Sequence, residues 1–118
     1  DGEPQPNCNE WFVDSDGDIQ FKHNDRDFFI EVNESDPEFY RLVMWNFWPI
    51  ESQSEAVKVA FACHTVNAEL KVAKAYMHQD KTWIAVEMFL GQPDHFKATF
   101  KRSMRSIDDA VSKFVGEM

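Results

Sequence analysis

The spacing of the apolar residues changes along the chain from every second residue to every third or fourth and back again, and this change limits the possible folds more than any other feature. Apolar and polar residues alternate in three short runs, which cover residues 11–13, 19–21 and 28–32. Such alternation is typical of half-buried β-strands. Asp16-Gly17 and Asn24-Asp25 separate the runs and favour tight turns. The first third of the chain is therefore predicted to be a three-stranded meander.

Helical spacing replaces the alternation after Asp36-Pro37. A first, short helix is predicted to carry Phe39, Leu42 and Val43 on one side and to end in the aromatic stretch of residues 44–49. A second helix should begin at the capping box Ser52-Gln53-Ser54-Glu55, in which the serine accepts from the backbone of the glutamate and the glutamate reaches back. Its apolar stripe continues at steps of three and four, so the helix should run to about Leu70.

The last third of the chain combines a β-hairpin with a helix. Two apolar runs, residues 72–77 and 82–89, flank a polar turn at residues 78–81. Pro93 suits the first position of a last helix, since proline lacks the N–H that would be unpaired there. The apolar side of that helix comprises Phe96, Phe100, Ile107, Ala110, Val111 and Phe114.

Together these elements predict an α+β fold with the order βββ-α-α-ββ-α. Its antiparallel sheet would consist of the three-stranded meander plus the C-terminal hairpin, packed with the helices. Residues 1–10 contain Pro4 and Pro6 and little apolar character, so they are expected to form a flexible leader. Residues 11–118 are predicted to be one α+β domain, because 118 residues fall within the usual size of a single core.

The formal charge of −9 argues against a nucleic-acid partner, because it repels a phosphate backbone. Residues 1–55 hold fourteen acidic against three basic side chains, whereas residues 56–118 hold seven against nine. This asymmetry is expected to attract a basic partner or the acidic part of a second copy, or to serve only solubility. No apolar run approaches the ~20 residues of a membrane span. A cytoplasmic, bacterial location is expected, with export left open because the chain begins at Asp1.

No catalytic, metal or cofactor site is predicted. Asp14, Asp16 and Asp18 resemble a calcium loop, but Gly17 falls two positions early and strands flank the segment, so an acidic turn explains them better. The four histidines and two cysteines show no metal-ligand spacing, and they indicate no disulfide framework. Cys63 and His64 are neighbours on a helix and point about 100° apart, which prevents the hydrogen bond of a catalytic pair. Cys63 is interpreted as a small buried residue.

Two groups of side chains are candidates for binding a partner. The last helix carries a basic side, which is most simply a solvated face and alternatively a site for an acidic peptide or the acidic part of a twin subunit. That side comprises Lys97, Lys101, Arg102 and Arg105. The stronger candidate is an aromatic set of Trp45, Phe47, Trp48, Trp83 and Phe89. Aromatic residues are more often core than interface, but three of these rings precede Pro49 within four residues, and one core cannot easily bury all three.

Several segments in this order resemble the YbjN family of bacterial domains. They are Asp16-Gly17-Asp18-Ile19, Phe28-Phe29-Ile30, Asp36-Pro37-Glu38-Phe39, Asn46-Phe47-Trp48, Val66-Asn67, Leu70-Lys71-Val72-Ala73-Lys74 and Glu87-Met88-Phe89-Leu90. The resemblance spans about Phe12 to Phe114. It implies a sensory transduction regulator, grouped by fold with the chaperones of type III secretion, that binds peptide segments or partner proteins and is frequently a homodimer. Those chaperones open with a helix, which the prolines of the leader disfavour here, so no binding residue is carried over.

The preferred interpretation is a non-catalytic, chaperone-like module that binds a protein or peptide client with its aromatic side chains. The alternative is a self-associating regulatory or assembly subunit that recognises one partner by charge complementarity. Salt distinguishes the two, because exposed charges are screened as the Debye length shrinks, whereas apolar burial is not. Neither interpretation requires a cofactor, a nucleic acid or a membrane.

Overall fold

The computed structural model describes residues 8–118 and contains six strands and two helices, apart from one short 3₁₀ turn at Pro93–His95. The strands are β1 (Cys8–Val13), β2 (Ile19–His23), β3 (Arg26–Glu31), β4 (Phe39–Pro49), β5 (Ala73–His78) and β6 (Lys81–Phe89). The helices are α1 (Gln53–Glu69), between β4 and β5, and α2 (Phe96–Glu117), at the end of the chain.

All six strands form one antiparallel sheet with the order β1-β2-β3-β4-β6-β5. Side chains alternate between the two faces of a strand, and one face of this sheet supplies the strand residues of the core. Phe28, Leu42 and Ile84 are fully or almost fully buried on that face. Ile107 and Phe114 of α2 and Val66 of α1 join the same core, so both helices pack on this one side.

The α+β class, the meander and the C-terminal hairpin are confirmed, and the first helix begins where the capping box predicts. Ser52 is the N-cap of α1, and its hydroxyl accepts from the Glu55 backbone N–H at 3.1 Å. The glutamate reaches back one residue further than predicted, since its Oε1 accepts from the Glu51 N–H at 2.9 Å. Pro93 begins the 3₁₀ turn that leads into α2, and the helix itself starts at Phe96.

The prediction of a short helix after Asp36-Pro37 is wrong, and the order is ββββ-α-ββ-α. Residues 39–49 instead form β4, the longest strand, which lies between β3 and β6. Only one turn follows Asp36, whose carbonyl accepts from the Phe39 N–H at 3.1 Å. Leu42, Val43 and Met44 are all completely buried, because a central strand is covered on both faces. Its apolar run therefore lacks the alternation that identifies a strand, and the spacing of Phe39, Leu42 and Val43 imitates a helix.

Because β4 joins β3 to β6, the meander and the hairpin are parts of the same sheet. Strand β1 begins at Cys8 and includes the last three residues of the predicted leader. The rest of that leader lies outside the described residues.

Candidate functional site

The face of the sheet that points away from both helices carries several aromatic side chains. The register places Phe29 opposite Val43, Val43 opposite Ala85 and Tyr76 opposite Trp83, all with the parity opposite to that of the core residues. We call this surface the helix-free face. Its aromatic residues are Phe12, Phe29, Phe39, Trp45, Tyr76, Trp83 and Phe89.

Val43 and Ala85 show that these rings form a layer of their own. Both residues are completely buried although they lie on the helix-free face and do not belong to the main core. The ring of Trp83 lies next to them, with its centroid 6.0 Å from that of Phe29 and 6.1 Å from that of Tyr76. The aromatic layer therefore shields the centre of a face that no helix covers in the part of the chain described.

An ion-pair network crosses the same face from β3 to β5. Arg41 donates from Nε to Glu87 at 2.7 Å and from Nη1 to Glu31 at 3.2 Å, and its Nη2 donates to the Tyr76 hydroxyl at 2.8 Å. Lys74 donates to the other oxygen of Glu87 at 2.7 Å. The hydrogen bonds from Lys74 and Arg41 lower the pKa of the Glu87 carboxyl, despite the opposing effect of partial burial. Since two carboxylates balance two cations, the network adds no net charge to the face.

The indole of Trp45 supplies an unused donor on the helix-free face. Its Nε1 is buried and has no hydrogen-bond partner among residues 8–118. Leaving a buried donor unpaired costs about 1–3 kcal/mol, so this indole N–H lowers the stability of the folded chain.

The structure divides the predicted aromatic set between the two sides of the sheet. Trp45 and Trp83 lie half-buried on the helix-free face, and Phe89 lies at one end of it, 72% exposed and next to Phe39. Phe47 and Trp48 lie on the other side, where their ring centroids are 5.3 and 5.4 Å from that of Phe114. These two residues therefore do not share a site with the other three.

Alternation along β4 accounts for the position of Trp48, and a β-bulge accounts for that of Phe47. The register between β4 and β6 shifts between Met44 and Trp48, and Asn46 within the bulge has a φ of 58°. The two extra residues turn Phe47 towards the helices although it shares the parity of Trp45, whereas Trp48 keeps the core-side parity of Met44. Trp48 is then held at the start of α1, where its Nε1 donates to Glu55 at 3.3 Å.

Sequence reasoning missed the other members of the helix-free face and one further exposed surface. Phe29 and Tyr76 could have been found from parity, because each alternates with core residues of its own strand. Phe12 has no core neighbours in β1, and its side of the sheet follows from the register, since Gln20 pairs with both Phe12 and Phe29. Arg41 was not recognised as part of this face, because its segment had been predicted to be a helix. On α1, Val57 and Phe61 are exposed one turn apart, and Phe61 is 70% accessible. Their position opposite the buried stripe of α1 was the available signal.

The other features singled out from the sequence are the acidic turn, Cys63, the potential metal ligands and the basic side of α2. The Asp14 carboxylate accepts from the backbone N–H groups of Asp16 and Asp18, so it closes the β1–β2 turn. Burial raises the pKa of the Cys63 thiol to about 11, as expected of a small buried residue. No group of three potential metal ligands occurs among the described residues. The basic side of α2 is exposed as predicted.

A comparison with protein-family models identifies the relatives of the chain. The model of the YbjN family, described as "Putative bacterial sensory transduction regulator", matches residues 9–117. The chain belongs to the YbjN family. No curated protein and no solved structure matches it. The likeness of YbjN domains to type III secretion chaperones stays a prediction for this member. None of the described helices is long and apolar enough to cross a bilayer.

Proposed function

We propose that this YbjN-family chain is a non-catalytic regulatory domain that binds an extended, apolar segment of a client protein on the helix-free face. The observation that carries the proposal is the aromatic layer over Val43 and Ala85, on a side of the sheet that no helix within residues 8–118 covers. Large aromatic side chains dominate binding energy at protein interfaces, because they bury much area with few rotatable bonds. The family description supports the regulatory part of the proposal.

The chemistry of the face favours apolar burial over charge attraction. Phe12 and Phe89 expose 58% and 72% of their surface, so both would lose water on contact with a client. Burying apolar surface contributes about 25 cal/mol per Å² before the cost of ordering the peptide is subtracted. Arg41 and Lys74 are already paired with Glu31 and Glu87. A client segment with apolar side chains would match this surface.

A library of extended peptides with apolar or acidic centres tests the proposal. Apolar peptides should change the fluorescence of Trp45 and Trp83, and Phe89→Ala should weaken their binding by roughly fivefold or more, as expected for an interface aromatic. Phe61→Ala is the matched control, since Phe61 is 70% exposed but lies on α1. Binding should persist in ~1 M salt, where the Debye length is about 3 Å.

Two results would contradict the proposal. Equal effects of Phe89→Ala and Phe61→Ala would mean that the peptides adsorb to any exposed ring. If Phe61→Ala abolishes binding and Phe89→Ala does not, the client binds on α1 instead.

A second candidate function is self-association by charge complementarity. It is favoured by the exposure of Lys101, Arg102 and Arg105 on α2, in a chain whose first 55 residues are strongly acidic. Light scattering should then show a mass that falls from a multiple of 13.8 kDa to the monomer as salt is raised. A mass that does not respond to salt would exclude this mode of association.

A further inference from the structure

A cavity of about 420 Å³ lies between the end of α1, the connection to β5 and the first half of α2. Three cationic side chains line it, namely Lys71 from the connection and Arg102 and Arg105 from α2. Its volume is within the range of small-molecule sites, about 300–1,000 Å³. The cavity lies outside the helix-free face and shares no residue with it.

The three cations of this cavity are not neutralised by the rest of the described chain. Within residues 8–118, none of them forms an ion pair or donates a hydrogen bond to a carbonyl at the end of α1. Two carboxylates also line the cavity, but Glu69 is bound by Lys113 at 2.8 Å. Only Asp109 remains to offset three positive charges. The partial negative charge of a helix C-terminus, about half an elementary charge, is too small to do so.

The wall of the cavity contains strained backbone. Val72 has a φ of 75°, and the Ala73 N–H donates across it to the Lys71 carbonyl at 2.8 Å, which defines a γ-turn of the uncommon positive-φ kind. A positive φ is a true outlier for a β-branched residue. Such strain, on the order of 1–3 kcal/mol, is concentrated at ligand sites and switch regions. The turn begins at Lys71, which lines the cavity together with the two arginines of α2.

We propose that this cavity binds the phosphoryl group of a small phosphate monoester. A carboxylate is satisfied by one arginine fork, whereas a phosphoryl group carries a charge of about −1.5 to −2 and three acceptor oxygens. Two arginines and a lysine match that charge and that number of acceptors. The hydroxyl of Ser106, which also lines the cavity, supplies a further donor.

Titration of the isotope-labelled full chain with inorganic phosphate tests the site by nuclear magnetic resonance. Saturable shifts are expected for the backbone amides of residues 70–73 and 102–106. Acetate, at the same ionic strength, should bind at least tenfold more weakly. The affinity for inorganic phosphate should also fall as the pH is lowered through the second pKa of that ion, because the dianion is the preferred form.

Variants show whether the cavity itself binds the anion. Arg102→Gln combined with Arg105→Gln should weaken phosphate binding at least tenfold. Lys101→Gln, an exposed cation on α2 outside the cavity lining, should change it less than twofold. Circular dichroism of each variant checks that the fold is retained, as expected for exposed side chains. A phosphorylated peptide that binds while inorganic phosphate and small monoesters do not would overturn the small-molecule assignment.

Three other results would also overturn the proposal. Acetate binding as tight as phosphate binding would make the cavity a carboxylate site. Equal losses from Lys101→Gln and from the arginine variants would show attraction to the whole basic side of α2. Shifts that do not saturate would mean that no site exists. None of these results bears on peptide binding at the helix-free face, so the two proposals can fail separately.

Discussion

Thr82 is completely buried on the core side of β6, and its hydroxyl has no hydrogen-bond partner among the described residues. A buried hydroxyl without a partner costs about 1–3 kcal/mol relative to water. We therefore expect Thr82→Val, which keeps the branched shape and removes the hydroxyl, to raise the free energy of unfolding by about 1 kcal/mol. Urea denaturation measures the change.

Thr82→Ser is the control, since it keeps the hydroxyl, loses a methyl group and should be destabilising. A less stable Thr82→Val variant would show that the hydroxyl is bonded after all.

Cys63 illustrates how burial controls the reactivity of one side chain. Burial raises its pKa to about 11, so almost no reactive thiolate exists at pH 8. In a Cys8→Ser background, where Cys63 is the single thiol, iodoacetamide should modify the folded protein at least ~100-fold more slowly than the unfolded protein. Mass spectrometry follows the reaction with and without urea. Equal rates in both states would mean that α1 opens far more readily than its packing indicates.

At the scale of one element, the bulge of β4 decides on which side of the sheet Phe47 lies. Asn46 adopts a φ of 58° there, which asparagine tolerates better than other residues with a side chain. Asn46→Val should lower the free energy of unfolding by about 1–2 kcal/mol, because a β-branched residue is strained in this conformation. Thermal or urea denaturation measures the loss.

Asn46→Gly is the matched variant for the bulge. Glycine accepts a positive φ without steric cost, and Asn46 is exposed, so this change should leave stability nearly unaltered. If glycine and valine destabilise equally, the side chain of Asn46 rather than its backbone matters. A bulge that shifts in the valine variant should also alter the fluorescence of Trp48, since that ring packs on Phe114.

At the scale of the whole molecule, the network around Glu87 connects strands from β3 to β5 and makes stability depend on pH. The pKa of this carboxyl is lower in the folded than in the unfolded protein, chiefly through Lys74 and Arg41. Its contribution is therefore fully present above the ordinary glutamate pKa of about 4.3 and is lost as pH falls through the folded-state pKa. Glu87→Gln should cost less than about 1 kcal/mol near neutral pH, because the network is partly solvent-screened.

Measuring stability at several pH values isolates the contribution of the Glu87 charge. The difference in unfolding free energy between the natural chain and Glu87→Gln should shrink towards zero in acid below the folded-state pKa. Lys22→Gln provides a control, since Lys22 pairs with Asp27 on the same side of the sheet but does not touch Glu87. A difference that stays constant from neutral to acid pH would show that shape, rather than charge, explains the effect of the glutamine.

The molecule as a whole separates its surfaces by chemistry. The helices cover one face of the sheet, the aromatic layer and a neutral ion network occupy the other, and the cationic cavity lies between α1 and α2. Peptide binding and anion binding are therefore predicted to respond differently to salt. Apolar contact should persist as ionic strength rises, and anion binding should weaken.

Local patterns in the sequence by themselves determined the α+β class, the turns of the first meander, the C-terminal hairpin, the start of α1 at Ser52 and the buried side of α2. Each of these depends on residues close together in the chain, such as a hydroxyl three positions before a glutamate or apolar residues one helical turn apart. Such signals act within a few residues and need no knowledge of distant contacts.

Only the tertiary structure decided that residues 39–49 are a strand, that Phe47 and Trp48 lie apart from Trp45, and that Lys71 lines the same cavity as Arg102 and Arg105. A central strand is apolar on both faces because neighbours from elsewhere in the chain cover it, so its sequence loses the alternation that would reveal it. The bulge then reverses the side of the sheet towards which Phe47 points. The cavity joins segments that are about thirty residues apart in the sequence. Long-range packing supplies these contacts, and no local pattern encodes them.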